Sequence, residues 1–484
     1  MWLVFFDDVQ CSICGPAIDE NVFKARVALF NYGLDGSSQS VLIIQHHGDD
    51  RNFGVRAHLK PLLLSKDDLF GGAARAAYRL HQALLAHDVP SRMQVRKKQS
   101  ENDSVSKPAS NLGKVSTLLR TPVGEVLQKW QSTRNQELHT GNWLPSIWSR
   151  GINNSDVEVV NLHWVGGETM SIEDIGRIRK PVVMSLHDMW PFCGTEHYAD
   201  DGPDARWRTA YSRNNRPSGD SGPDLDMRAW KRKRRAWTSP MHLVAPSEWV
   251  AKCARNSALL GNRPVSVIPY PLDTQVYRPL EKKFCRHALN LPQDARIVLF
   301  GAIGGTRNLR KGYDLLARSL DTLATRSIAD KVLLVIFGQC EPQGFPELRF
   351  PCRWFDHLYD DLTLAMLYSA ADVMVVPSRK ETFGQTSTEA QACGCPVVAF
   401  DCTGLRETLT HKVTGYLAKP FDTGDMAAGI AWVLDQSLEH NSLGQAARKR
   451  AEALWSYGVV VPQILEVYER AIEEFGFTEQ AEKR

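Results

Sequence analysis

Two glutamates, Glu381 and Glu389, stand with seven residues between them in PSRKETFGQTSTEAQACGCPVVAF, residues 377–400. An ionised carboxylate accepts hydrogen bonds in pairs, so two of them at a ligand crevice suit a ligand rich in neighbouring hydroxyls. The run before them, ADVMVVPS, is apolar throughout and reads as a buried strand. RKETFGQ is then the loop at that strand's carboxyl end, the place where open α/β sheets hold ligands. A helix is expected to start near Thr386 and to end at Gly394, and its first free amides suit an anion. Plainer duties are open to both acids. Thr386 and Glu389 have the T-x-x-E spacing of a capping box, and Glu381 could be a solvated loop charge.

Other segments carry groups of matching chemistry. In GAIGGTRNLRKGYDLLARSL, Lys311 precedes Gly312 and a helix, with Arg307 and Arg310 nearby. These cations could meet an anionic ligand or form a surface basic cluster. Gly71-Gly72 precedes a helix in which Ala73, Ala77, Leu80 and Leu84 share a face; the pair is either a tight turn or a backbone opening for an anion at the helix start. His187 ends the apolar strand of PVVMSLHDMWPF and could be a core or a site histidine, Asp188 beside it could cap the next helix, and His163 in NLHW is a weaker candidate. Asp224-Leu-Asp226 has divalent-metal spacing but follows no strand, so no metal is expected. Cys11 and Cys14 form a lone C-x-x-C, read as two thiols or as a metal or redox pair.

These residues need a scaffold, and the chain supplies one. Across its 484 residues, short apolar runs alternate with helical patterns: KPLLLS, DVEVVNLHWV, PVVMSLHD and MHLVAPS in the first half, ARIVLFGA, DKVLLVIFG, DVMVVPS and CPVVAFD in the second. Strands without a polar side belong to parallel sheets covered on both faces. The expected fold is therefore α/β, with two doubly wound Rossmann-like halves. The expected divisions are an extension over 1–55, in which SVLIIQHHGDD could add an edge strand, a first domain over 56–272, a second over 273–455, and a bracing tail helix over 456–484. The polar insertion 200–238 ends in a basic cluster, and its middle is expected to be a mobile loop. An apolar share of 43%, a charged share of 23% and a net charge of +3 describe a globular chain without the footprint of a nucleic-acid binder. Scattered cysteines suggest a reducing cytosol, and neither a spanning segment nor an export signal is evident.

The run E-x-F-G-x-x-x-x-E, read as Glu381, Phe383, Gly384 and Glu389, resembles the donor-site signature of the family 4 retaining glycosyltransferases of the GT-B fold, and the resemblance extends from about residue 62 to 475. It implies a nucleotide diphosphate sugar, UDP- or GDP-linked, as donor substrate, with no separate cofactor. Glu381 would contact the sugar hydroxyls, loop amides of Phe383, Gly384 and Gln385 would hold sugar and phosphate, and Glu389 would bind the ribose diol. Lys311 would meet the leaving phosphates together with Arg307 or Arg310, Gly71 and Gly72 would open the opposite wall, and His187 would orient the donor sugar. Two positions depart from the family pattern: Ala302 stands where Arg is frequent, and Tyr270 where Asn is frequent. GGAARAAYRLHQAL and LHDMWPF narrow the similarity to exopolysaccharide enzymes of the colanic acid type, implying a saccharide or lipid-linked oligosaccharide acceptor. Residues 228–237, with Trp230, Lys231, Arg232, Lys233, Arg234, Arg235 and Trp237, are read either as a dock for an anionic membrane at the inner face of the cell membrane or as a solvated helix face.

Overall fold

A computed structural model describes residues 26–32, 39–45, 59–108, 111–301, 303–326, 331–343, 349–439 and 442–482. The Cys11–Cys14 pair and Ala302 lie outside them. Residues 1–56 and 57–484 are separate compact units. In the first, β1 (Arg26–Tyr32) and β2 (Gln39–Gln45) form an antiparallel pair with Arg26 opposite Gln45. The strand foreseen in SVLIIQHHGDD thus pairs within a two-stranded sheet, not as an added edge.

The second unit holds two parallel sheets. One comprises β3 (Pro61–Asp67), β4 (Arg92–Lys97), β5 (Val105–Ser106), β6 (Val159–Leu162), β7 (Val182–Ser185), β8 (His242–Ala245) and β9 (Val265–Val267), in the order β5-β4-β3-β6-β7-β8-β9. The other comprises β10 (Arg296–Gly301), β11 (Val332–Phe337), β12 (Cys352–Phe355), β13 (Val373–Val376), β14 (Val397–Phe400) and β15 (Gly415–Ala418), in the order β12-β11-β10-β13-β14-β15. Every residue of β6, β7, β8, β13 and β14 is buried. Helices cover both faces, which is why the apolar runs are continuous and not alternating. In both sheets the strand order reverses beside the first strand, β3 or β10, and ligands of such sheets bind at the carboxyl ends there.

The chain passes between the two sheets twice, and the passages run side by side: Leu272 pairs with Ser456, and the Leu272 amide donates to the Trp455 carbonyl at 2.7 Å. Beyond them the helix Tyr457–Glu482 packs against β6, β7 and the helix Gly72–Leu85 of the first sheet layer. Its buried Tyr468 accepts from Asn161 Nδ2 of β6 at 2.8 Å.

The insertion 200–238 is anchored at both ends, while most residues over 212–222 between them are exposed. Trp207, Tyr211, Trp230 and Trp237 are all buried in the first hydrophobic core, and Arg206 is bound to Asp224 at 2.6 Å. Irregularly spaced aromatics hide this burial from any periodicity, but each large ring removed from water supplies the drive to order the segment. The basic cluster is partly internal. In the helix Leu225–Ala236, Lys233 is fully buried and donates to the Gly194 carbonyl at 2.8 Å, and to that of Trp190, while Arg232 is paired with Glu173 at 2.6 Å. The tryptophans and the central lysine expected to meet a membrane therefore face the core, leaving Arg228, Arg234 and Arg235 exposed. Asp224 caps this helix by accepting from the Met227 amide at 2.9 Å, and Asp226 accepts from Gln131 Nε2 at 2.5 Å, so both carboxylates are structural. Among the described residues no helix is long and apolar enough to cross a membrane.

Candidate active site

A cleft of about 890 Å³ lies between the two sheet layers, at the carboxyl ends of their strands. Its walls include Gly71, Gly72 and His187 from the first layer and Arg307, Arg310, Lys311, Glu381, Gly384, Gln385 and Glu389 from the second. Residues more than three hundred positions apart in sequence thus meet around one space. Phe383 is the exception. Its ring is buried against Tyr270 and Trp455, so it braces the loop from behind and does not line the cleft.

The loop after β13 is tied down before any ligand arrives. Arg379 grips Asp314 through two bonds of 2.7 Å, and the Glu381 amide donates to Thr403 Oγ1 at 3.1 Å. Gly384, at φ +100°, lets the chain turn into the helix Gln385–Ala392. The helix starts one residue earlier than the sequence suggests and no side chain caps it. Glu389 therefore lies in the second turn, beyond capping reach, and the T-x-x-E spacing forms no capping box. Gly312, at φ +72°, is held just as firmly: any Cβ there would strike the Pro377 carbonyl. It ends the turn Leu309–Lys311 so that Lys311 faces the loop of Glu381.

Lys311 Nζ donates to Glu381 Oε1 at 2.5 Å, Ser378 Oγ donates to the same oxygen at 3.0 Å, and Arg310 lies 3.7 Å from it. Burial alone would push the Glu381 carboxyl up, but Lys311 and Arg310 outweigh it and hold it below its usual range. Arg310 also stacks on Tyr198, with its guanidinium carbon 4.3 Å from the ring centroid. Arg307 is exposed at the cleft and its side chain has no partner among the described residues. Glu137 also reaches Arg310, at 3.4 Å, so the cluster is a wall of three cations beside two carboxylates, and the charge left over, that of Arg307, faces the cleft. Opposite, the helix Gly72–Leu85 begins at the cleft with Gly71 and Gly72, whose amides carry the positive end of the helix dipole. Gln385 Nε2 donates across the gap to the Gly72 carbonyl at 2.7 Å, and a Cβ on Gly72 would lie only 3.2 Å from that nitrogen.

Both oxygens of Glu389 are engaged: Oε1 accepts from Arg79 at 2.6 Å and Oε2 from Tyr368 at 2.7 Å. Arg79 comes from the helix Gly72–Leu85 and also donates to Tyr277 Oη at 2.7 Å and to Asp361 Oδ1 at 3.3 Å. One turn earlier, Arg75 donates to the Leu358 carbonyl at 2.6 Å. Sequence reasoning missed this pair of arginines. The available signal was their i, i+4 spacing in an alanine-rich helix, where two long cations on one face call for acceptors.

His187 lines the cleft, but both its ring nitrogens are bonded: Nε2 lies 2.9 Å from His163 Nδ1, and Nδ1 lies 2.8 Å from Tyr270 Oη, which is 3.4 Å from the Leu186 carbonyl. The assignment that orphans no N–H runs from His163 Nδ1–H to His187 Nε2, from His187 Nδ1–H to Tyr270, and from Tyr270 to that carbonyl. Tyr270 therefore fixes the ring of His187. In this arrangement His187 orients and walls the site, and its backbone carbonyl accepts from Thr382 across the gap at 3.2 Å. Asp188 does not cap a helix; its carboxylate holds His197 Nδ1 at 2.5 Å and accepts from Trp164 Nε1 at 2.9 Å.

Burial pushes His81, His187 and His242 each down to about 4, and lowers His163 as well. An unfolded chain takes up protons on these groups near pH 6.5 that the native chain refuses, until about pH 4 for His81, His187 and His242, so stability is lost as pH falls from 6.5 toward 4. Glu196, pushed up to about 7 by burial, and His139, which burial lowers but Asp226 raises on balance, act oppositely, as do Asp67 and Glu168, raised by burial; His357 and His411, lowered by burial, add to the loss, making six groups against four. The urea midpoint is expected to be lower at pH 5 than at pH 7. Equal midpoints would contradict the neutral assignment of these histidines.

Residues 282–450 match the family model for Glycosyl transferases group 1. A D-inositol 3-phosphate glycosyltransferase of Catenulispora acidiphila is 32% identical over 223 residues, which is 43% of this chain and 51% of the relative. The chain spans about half the length of the curated relatives it matches. These relatives carry the name of D-inositol 3-phosphate glycosyltransferases, not of exopolysaccharide enzymes. Among solved structures, sucrose-phosphate synthase from Thermosynechococcus elongatus superposes with a TM-score of 0.56 at 19% identity, covering 85% of this chain and 99% of the other. Anabaena HepE in complex with UDP-glucose superposes with a TM-score of 0.56 at 17% identity, covering 85% and 100%. The chain thus has the α/β GT-B fold, and its second half, over residues 282–450, is similar to Glycosyl transferases group 1.

Proposed function

We propose that the protein is a glycosyltransferase that moves a hexose from a nucleoside diphosphate sugar to a saccharide acceptor, with retention at the anomeric carbon. The observation that carries this reading is the cation wall of Arg307, Arg310 and Lys311 facing a helix start at Gly71–Gly72 across the same cleft as Glu381 and Glu389. A departing diphosphate needs positive charge where its own charge develops, and preorganised donors in a cleft supply it without reorganisation. Lys311 and Arg310 meet the phosphates from one side and the amides of Gly71 and Gly72 from the other. Glu381, held ionised, accepts from the sugar hydroxyls, and Glu389 uses its remaining lone pairs for the ribose diol. The bond from the anomeric carbon to the diphosphate oxygen breaks, the acceptor oxygen bonds to that carbon, and the acceptor's proton leaves with the departing phosphate.

A uridine donor is favoured by the likeness to a protein bound to UDP-glucose. The finer assignment to surface-polysaccharide assembly, with a free or lipid-linked acceptor at the inner face of the cell membrane, rests only on the resemblance of GGAARAAYRLHQAL and LHDMWPF. Two other readings of the same fold are an epimerase or phosphorylase and a catalytically silent sugar-nucleotide binder. UDP release from UDP-glucose, measured with and without a panel of saccharides, separates them. Release that requires an acceptor and yields a larger saccharide is the expected result. Acceptor-independent conversion would favour an epimerase, and binding without turnover a silent protein.

A further inference from the structure

We propose that Ser65 and Asp67, at the carboxyl end of β3, form an acceptor subsite for an uncharged, hydroxyl-rich sugar ring. This rests on the glycosyl-transfer reading above and adds the acceptor's chemistry to it. The two residues are two positions apart on a strand, so their side chains share a face, and both line the cleft. Ser65 is 1% exposed, and its Oγ has no hydrogen-bond partner among the described residues. Asp67 is 9% exposed, and no hydrogen bond or ion pair from the described residues reaches its carboxylate. The contrast with its neighbour is sharp: Asp68 accepts from the amides of Leu69, Gln99 and Ser100 at 2.9–3.0 Å. Asp68 is structural, and Asp67 is left open.

Buried polar groups are nearly always bonded, and those that are not call for an explanation. An open hydroxyl and an open carboxylate on one strand face, both bordering the same cleft, are explained by a ligand that both donates and accepts. Sugar hydroxyls do so. A phosphate dianion only accepts, and beside Asp67 it would set acceptor against acceptor and charge against like charge in a poorly solvated corner. Trp164 also lines the cleft, with its indole N–H spent on Asp188 and Nζ of Lys66, itself part of the lining, 5.4 Å from its ring centroid. Burial pushes the Asp67 carboxyl up, with Lys66 and Lys97 opposing, as fits a group awaiting a partner. None of the donor-side contacts uses Ser65 or Asp67, so the two halves of the cleft can be tested apart.

The test compares the wild-type chain with Asp67→Asn and Ser65→Ala in three measurements. Calorimetry with UDP reads the donor side and is expected to be unchanged within twofold in both variants. Saturation-transfer NMR with the methyl α-glycosides of glucose, mannose and galactose reads the subsite without requiring turnover; at least one should bind the wild type, and Asp67→Asn should weaken it tenfold or more. D-Inositol 3-phosphate is the charged competitor, and it should bind the wild type more weakly than Asp67→Asn. Because neither side chain has a hydrogen-bond or ion-pair partner to lose among the described residues, neither variant should lower the melting temperature, whereas a structural role would. The proposal is overturned if no neutral glycoside binds the wild type, if Asp67→Asn binds it equally well, or if inositol phosphate binding falls in that variant. Loss of UDP binding or of acceptor-dependent turnover in the wild type would instead count against the glycosyl-transfer reading.

Discussion

Glu381→Gln is expected to lower kcat/KM for hexose transfer by about 10²- to 10³-fold, the loss typical of removing one preorganised polar contact to a reacting group. The substitution keeps the side chain's shape and its contact with Ser378, but removes the charge that Lys311 and Arg310 are matched to. Two effects add. The sugar loses an acceptor for its hydroxyls, and Lys311 is no longer held in place opposite the diphosphate. The cationic wall survives, so UDP itself should bind as tightly as before or more tightly, since one neutralising carboxylate has gone. Steady-state kinetics with UDP-glucose and calorimetry with UDP read the two effects separately. Turnover within threefold of the wild type would remove Glu381 from the proposed chemistry.

Arg79→Ala is expected to be the most destabilising single change at the cleft. Arg79 is 5% exposed and Glu389 4%, and the pair closes at 2.6 Å across the gap between the two sheet layers. Burial by itself disfavours the Arg79 cation, but Tyr277, Glu389 and Asp361 together more than offset it. Truncation leaves the Glu389 carboxylate buried with Tyr368 alone, and breaking a buried pair on one side costs about 3–5 kcal/mol. For a chain of this size that corresponds to a fall in melting temperature of roughly 3–6 °C. Arg79→Lys keeps the charge but cannot fork to Glu389, Tyr277 and Asp361 at once, so it should recover less than half of the loss. The same geometry makes the pair an interdomain tie: parting the sheet layers breaks it. Arg79→Ala should therefore also weaken UDP binding, because Glu389 loses the partner that sets its position. A melting temperature within 1 °C of the wild type would show that the pair contributes nothing.

Much of the site could be read from the chain because its parts are local. A strand of four buried residues, a loop with Gly384 and a helix start lie within thirty positions, and their order alone puts Glu381 and Glu389 at a crevice rim. The same holds for Lys311-Gly312 and for Gly71-Gly72. Where the sequence misled, the decisive contacts were distant. The tryptophans and Lys233 of 200–238 read as surface because their partners, Trp190, Cys193 and Gly194, lie outside that segment and follow no period. Phe383 sits in the motif, yet its ring packs on Tyr270 and Trp455 from two other parts of the chain.

By itself, the sequence determined the two doubly wound halves, the loops at their strand ends and the residue types offered there, because apolar period and glycine placement act over neighbouring residues. Only the tertiary structure decided which charges are spent and which are open. Glu389 proved to be tied to Arg79 and His187 to Tyr270 and His163, while no hydrogen bond from the described residues reaches the carboxylate of Asp67. The physical reason is that hydrogen bonds and ion pairs are satisfied in space, by whichever group the folded chain brings within about 3 Å, and sequence separation places no limit on which group that is.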